Sequence, residues 1–168
     1  MPIHPKLVHL PIALAVLLPL LTSGLLLAWW RNWLPRRTWL LVPIAQALLV
    51  ISGFAAMKAG EGDEGRVEHL VPEGVIETHE EAAERFVWTA AALLLVTILP
   101  LLLRRTNVAL VLGLVATLGS LGVLGLGYRV GESGGGLVYR YGAAAAYANG
   151  AGGAGSPLPA RGHDDDDR

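Results

Sequence analysis

Four long apolar stretches constrain the fold of this chain more than any other feature. Each is long enough to cross the ~30 Å hydrocarbon core of a bilayer, which takes roughly 20 helical residues. Charged residues make up only 16% of the 168 residues, and they fall mostly between the stretches. This pattern predicts an all-α fold, a four-helix up-and-down transmembrane bundle. The predicted spans run from Leu7 or Leu10 to Trp30, from Thr38 to Met57, from Glu77 or Thr78 to Leu103, and from Asn107 to Tyr128.

A secretory signal peptide is the competing interpretation of the first stretch. Signal peptides have an apolar segment of about 7–15 residues after a basic region. Here the apolar segment is longer, only Lys6 precedes it, and the sequence Ala28-Trp29-Trp30 is a poor cleavage site. We therefore expect this stretch to remain as the first membrane span.

The short turns after the first and third predicted spans are basic. Cytoplasmic loops of membrane proteins carry an excess of arginine and lysine, so these turns predict a cytoplasmic side. Both termini and the glutamate-rich loop 58–78 would then lie outside, in a multi-pass protein of a bacterial inner membrane. The arginines of the two turns are Arg31, Arg36, Arg37, Arg104 and Arg105.

Composition also divides the chain and excludes several classes of function. We expect a membrane domain over 1–145 and a disordered tail over 146–168, which is rich in glycine and alanine and ends in "GHDDDDR". The chain has no cysteine, which excludes disulfides, thiolate metal ligands and covalent c-type haem attachment. Its net charge of −1 gives no indication of nucleic-acid binding.

The histidines are concentrated at the predicted outer face. His4 and His9 precede or begin the first span, and His69 and His79 lie in or after the outer loop. Histidine is the commonest metal ligand in its neutral form, and ionisable groups close to a membrane often mark a functional site. Four of the five histidines at one face therefore suggest a ligand-binding site, and the fifth lies in the tail.

The start of the third predicted span gives this site its expected geometry. In "THEEAAER", Thr78 stands three residues before Glu81, the spacing of a capping box that would make His79 the first helical residue. The helix dipole and partial burial would favour the neutral imidazole, which binds haem iron or a metal. In an up-and-down bundle, His9 and His79 could then face each other across the first and third helices.

We therefore predict binding of haem b or a transition metal, in electron transfer with a redox protein or membrane complex as partner. The haem ligands would come from His9, His79 and His4. The candidate metal ligands are His4, His9, His69, His79, Glu80 and Glu84.

Other interpretations of the same residues stay open. Interfacial histidines also cap helices and bond headgroups, and the glycine-rich fourth span could instead pack an accessory subunit against a redox or transport complex. A transporter is disfavoured because Gln46 is nearly the only strongly polar residue deep in the spans. No nucleophile or nucleotide-binding motif is present, so we do not expect an enzyme acting alone. The segment "GLVYRYG", 136–142, alternates as a short extended strand would, and could form a lid over the site or an aromatic anchor.

Several motifs together resemble a known family. "HPKLVHLPIAL", "SGFAAMKAGE", "VPEGVIETHEEAA" and "GGGLVYRYG" occur in this order over about residues 2–145. They resemble the bacterial membrane proteins called domain of unknown function 2231. The resemblance implies a four-helix membrane fold, and some members lie beside Rieske-type or other redox modules, which implies a link to electron transfer. The family pattern falls on His4, Pro5, Val8, His9, His79, Leu137, Val138 and Tyr139.

Overall fold

The computed structural model describes residues 7–67, 71–103 and 105–141, which form four long helices. All four are long and apolar enough to cross a membrane, which confirms the predicted all-α fold. A short 3-10 helix, Arg36–Leu40, leads into the second of them. The four helices are α1 (His9–Trp30), α2 (Leu41–Val67), α3 (Glu73–Leu102) and α4 (Thr106–Tyr141).

The helices pack as an up-and-down bundle. Helix α2 packs between α1 and α3, and α4 closes the bundle against α3 and α1. Helices α1 and α3 therefore lie diagonally, as predicted, and both begin at the same end. We call that end the histidine end, because it contains His9 and His79. The opposite end is the basic end, which contains the turns with Arg31 and Arg105.

Small residues allow the helices to approach closely. A Cβ atom added at Gly119 of α4 would lie 2.5 Å from Leu93 Cδ1 of α3, and one added at Gly113 would lie 2.9 Å from Leu26 Cδ1 of α1. Neither space admits even a methyl group without movement of the neighbour. By contrast, nothing lies within 4 Å of a Cβ added at Gly122 or Gly125. The glycines of α4 therefore divide into a packed set and an open set.

Polar side chains in the interior bond mainly to backbone carbonyls. Gln46 is 1% exposed, and its Nε2 donates to the carbonyl oxygen of Ala90 at 2.8 Å. Trp39 Nε1 likewise donates to the carbonyl of Thr97 at 2.9 Å. These bonds tie the second span to α3 at two levels. Gln46 therefore has a structural partner of its own within the bundle.

The outer surface of the bundle is covered by large apolar side chains. Soluble monomers rarely expose extended apolar surface of this kind. In a membrane the same surface contacts lipid, and the backbone polar groups are satisfied within each helix. The most exposed aliphatic side chains include Leu20 at 67%, Leu95 at 68% and Leu102 at 70%.

Three helices continue past their uncharged stretches at the histidine end. Helix α3 has thirteen residues before Phe86, and α4 has thirteen residues after Tyr128. At 1.5 Å per residue each extension is about 20 Å long. Helix α2 continues from Lys58 to Val67. Much of the segment 58–78, expected as a loop, is therefore helical.

Two local predictions at this end are wrong. Helix α3 begins at Glu73 with Pro72 as its cap, and Thr78 Oγ1 bonds back to the carbonyl of Gly74, so the expected capping box does not form. The segment 136–142 was expected to be extended, but α4 continues through it to Tyr141. In both places a helix that is packed against its neighbours continues through residues with weak helix propensity, since packing outweighs local preference.

Candidate functional site

The candidate site lies between the extensions of α3 and α4. His79 is in the second turn of α3, on the same side as the buried Ile76 and Phe86. It therefore points toward the bundle and is half-buried. Because His79 lies seven residues before Phe86, the imidazole is about 10 Å beyond the uncharged stretch. It is also no longer in the first turn, so the expected dipole effect of a helix start does not apply to it.

Helix α4 supplies the partner of this histidine. His79 Nδ1 lies 2.8 Å from Ser133 Oγ, across 54 residues of sequence. The next residue, Gly134, passes directly against the ring: a Cβ added there would lie 3.0 Å from His79 Cε1. A side chain at this position would press on the imidazole. Gly134 thus lets α4 come close enough for Ser133 to hold the ring.

The hydroxyl of Ser133 has two partners for its single hydrogen: His79 Nδ1 at 2.8 Å and the carbonyl oxygen of Val130 at 3.1 Å. The contact with His79 therefore has two directions. Either Ser133 Oγ donates to an unprotonated Nδ1, or it donates to Val130 and accepts from a protonated Nδ1. In the second case the neutral imidazole has Nε2 as its unprotonated nitrogen.

His9 is level with this pair but faces another way. Ala15 of α1 packs against Gly127 of α4, with 3.7 Å between the Ala15 Cβ and a Cβ added at Gly127. His9 and Ser133 each lie six residues further toward the histidine end, so their depths agree. However, His9 is exposed and stands about 150° around α1 from the buried stripe. His9 and His79 therefore lie at similar depth, but their imidazoles do not face each other as predicted.

The remaining candidate ligands do not gather around His79 in the part of the chain described. Glu80 is half-buried and is turned about 100° from His79 on α3, and Glu84 is exposed and turned about 140°. No group of three histidine, cysteine or carboxylate side chains that could hold a metal occurs among the described residues. His4 and His69 lie outside them.

A family profile described as "Predicted membrane protein (DUF2231)" matches residues 1–146. The chain belongs to the DUF2231 family. No curated protein and no solved structure shows a significant match to it. The match covers the four helices, so the family assignment and the bundle support the same statement: this DUF2231 chain is a multi-pass membrane protein.

Ser133 and Gly134 are the site residues that the sequence alone did not reveal. They lie in "GESGGG", which has the composition of a loop. Gly134 lies seven residues after the packed Gly127 and so falls close to the same face of α4. The sequence alone does not show which glycines of α4 are packed, so it gives no signal that would have located Ser133 and Gly134.

Proposed function

We propose that this DUF2231 protein binds haem b or a transition metal at its histidine end and takes part in electron transfer at the outer face of a bacterial inner membrane. The observation that carries the proposal is the contact of 2.8 Å between His79 Nδ1 and Ser133 Oγ. It joins an imidazole to a hydroxyl group on a different helix, and it does so beyond the uncharged part of the bundle.

This contact suits a ligand histidine. Metal-bound histidines nearly always donate their second ring N–H to a neighbouring acceptor, which fixes the ring and raises the basicity of the ligating nitrogen. Ser133 would take that role toward Nδ1, and the coordinating atom would be His79 Nε2. Such outer partners typically change metal affinity by about 10–100-fold when they are removed.

Further ligands would come from the other histidines of the same end. His9 is level with His79. It could become a ligand through a change of its side-chain rotamer, or it could bind a ligand shared with a neighbouring chain. His4 precedes it by five residues, and His69 precedes the turn into α3. Because bis-histidine ligation is common for b-type haem, a second imidazole from this group is the expected partner of His79.

The orientation rests on charge. The two turns of the basic end contain five arginines and no acidic residue, which favours the cytoplasmic side. The histidine end would then face outward with the termini. A reporter fused at either terminus would test this, and a cytoplasmic location of the amino terminus would contradict it.

An absorption spectrum tests the ligand directly. We expect dithionite-reduced, detergent-purified protein to show a Soret band, or mass spectrometry of metals to find a bound transition metal. His79→Ala should abolish the signal, and Ser133→Ala should weaken binding about 10–100-fold. His163→Ala, in the tail, is the matched control and should leave it intact. Protein with neither a haem band nor bound metal would exclude the proposal.

A second candidate is an accessory subunit of a membrane redox or transport complex. The observation that favours it is the open pair Gly122 and Gly125 on the outside of α4, since small residues allow another helix to approach closely. Gly122→Leu should then break co-purification with the complex, and His9→Ala should leave it intact. Gly119 is unsuitable for this test because it packs inside against Leu93.

A further inference from the structure

The turn that follows α1 at the basic end has a fixed shape. Asn32 adopts a left-handed conformation with φ 58°, its N–H bonds to the carbonyl of Trp29, and the N–H of Trp33 bonds back to the carbonyl of Ala28 at 2.8 Å. These two bonds form a Schellman motif, in which asparagine is one of the few residues that tolerate the left-handed position. The motif folds Trp33 back beside the last turn of α1.

This turn holds one arginine between two tryptophans. The guanidinium carbon of Arg31 lies 5.8 Å from the ring centroid of Trp30 and 5.8 Å from that of Trp33. Such distances permit cation–π attraction. The rings are 64% and 68% exposed, and Arg31 is exposed as well. The face of a guanidinium can rest on a ring while its N–H groups still point to another ligand.

Arg36 connects this turn to the turn between α3 and α4. One of its terminal nitrogens donates to the carbonyls of Pro100 and Leu103, and its guanidinium lies 5.8 Å from the ring centroid of Trp29. The two basic turns are therefore adjacent. Arg37 and Arg105 are exposed, as Arg31 is, and all three lie in these two adjacent turns. We call the exposed part of the two turns the basic surface.

Among the residues that the structure describes, this surface has no acidic residue to neutralise it. The sequence contains no aspartate or glutamate in residues 1–60 or 86–131, so the nearest carboxylates along the chain belong to the histidine end. Tryptophan prefers the level of lipid headgroups, and each basic residue near an anionic membrane surface contributes about 1 kcal/mol of attraction. The positive charge of the arginines and the headgroup level of the tryptophans therefore both suit an anionic lipid headgroup.

We propose that the basic end binds anionic phospholipid headgroups, with Arg31 held by Trp30 and Trp33 as its centre. The phosphodiester would accept N–H bonds from Arg31, and Arg37 and Arg105 would add charge around it. Arg36 would position the surface, since one of its terminal nitrogens already donates to two carbonyls at the end of α3. Zwitterionic lipid lacks the net charge that this surface selects.

Native mass spectrometry after reconstitution into nanodiscs tests the surface. In an equal mixture of phosphatidylcholine and phosphatidylglycerol, we expect the protein to retain several-fold more phosphatidylglycerol. The triple variant R31Q/R37Q/R105Q should lose this preference. The matched control R85Q/R129Q, which removes exposed arginines at the histidine end, should keep it.

Two further measurements make each outcome decisive. Raising the salt concentration should reduce the preference of the wild-type protein, because exposed charges are screened; this needs no variant to fold. Glycerol phosphate in solution should not displace the lipid. Equal retention of both lipids, an unchanged triple variant, or full displacement by glycerol phosphate would overturn the proposal, the last by indicating a site for soluble phosphate.

Discussion

The two ends of the bundle are held together in different ways. At the basic end, side chains donate directly to backbone carbonyls of another helix: Trp39 to Thr97, and Arg36 to Pro100 and Leu103. At the histidine end, the links between helices include the contact of His79 with Ser133 and a small apolar cluster. That cluster contains Val71, Ile76, Val75 and Leu137.

The difference indicates where the molecule can change shape. A carbonyl that accepts from a buried tryptophan is fixed by packing, and one that accepts from an arginine is fixed by a charged donor, so the basic end should open only with global unfolding. The extensions of the histidine end bury fewer apolar side chains and lie beyond the uncharged stretches. A ligand-binding site is expected in such a region, because binding residues usually come from the less stable part of a protein.

The packing between α3 and α4 should give the largest effect. Gly119→Leu places a side chain where a Cβ alone would lie 2.5 Å from Leu93 Cδ1, and we expect a loss of about 3 kcal/mol in the free energy of unfolding. Unfolding in mixed detergent, followed by circular dichroism, measures it. Gly122→Leu, where the space is open, is the control and should change it by less than about 0.5 kcal/mol. Equal losses in both variants would show that the glycines of α4 are not divided as described.

The basic end should lose local order when its arginine is removed. Arg36→Gln takes away a charged donor to two carbonyls, and hydrogen bonds to charged groups contribute about 1.5–3 kcal/mol. Amide hydrogen exchange should then accelerate in the last turn of α3 and in the following turn. The control is Arg37→Gln, an exposed neighbour, which should leave the exchange unchanged. Unaltered protection in Arg36→Gln would remove the distinction between the two ends.

The apolar cluster of the histidine end should respond locally. Leu137→Ala removes part of the packing against Val71 and Ile76, and since Leu137 is only half-buried we expect a cost of about 1 kcal/mol. Hydrogen exchange should accelerate in the extensions, while the midpoint of global unfolding stays nearly constant. The exposed neighbour Val138 offers the matched control, Val138→Ala. A large drop in the global midpoint would mean that the extension unfolds together with the membrane part.

The smallest effect is expected at Gln46. Gln46→Leu removes the bond to Ala90, worth about 1 kcal/mol, but it also removes Oε1, a buried acceptor without a hydrogen-bond partner among the described residues. The two changes oppose each other, so the free energy of unfolding should shift by less than about 1 kcal/mol. Gln46→Glu, which adds a charge at the same place, should instead be strongly destabilising. If Gln46→Leu were equally damaging, the amide would have a role beyond linking two helices.

The helical spans could be predicted from the sequence because length and apolarity set them residue by residue. About 20 apolar residues in lipid must form a helix, whatever they pack against, and short turns force neighbouring helices to be antiparallel. The position of the basic turns at one end, and of His9 and His79 at the other, follows from the number and alternating direction of the spans. The family motifs agreed with four spans but did not predict which side chains are in contact.

The helix boundaries at the histidine end could not be predicted in the same way. Thr78 has the sequence of a cap and "GESGGG" that of a loop, yet both lie within helices that pack nearby: Ile76 of α3 belongs to an apolar cluster, and Gly134 of α4 lies against His79. Local propensity differs by less than about 1 kcal/mol per residue, which packing easily exceeds. Because α3 begins at Glu73, His79 lies in the second turn of the helix and not at its start, and it is on the face that meets α4.

The sequence by itself determined four membrane-spanning helices, their alternating directions and the charge of each end. Only the tertiary structure decided which side chains meet. The partner of His79 is Ser133 and not His9, and the partner of Arg36 is the end of α3. The physical reason is that apolarity acts on each residue through the solvent, whereas a hydrogen bond between helices depends on their rotation and separation. Those are set by the packed glycines of α4, which a linear pattern of small residues does not distinguish from the open ones.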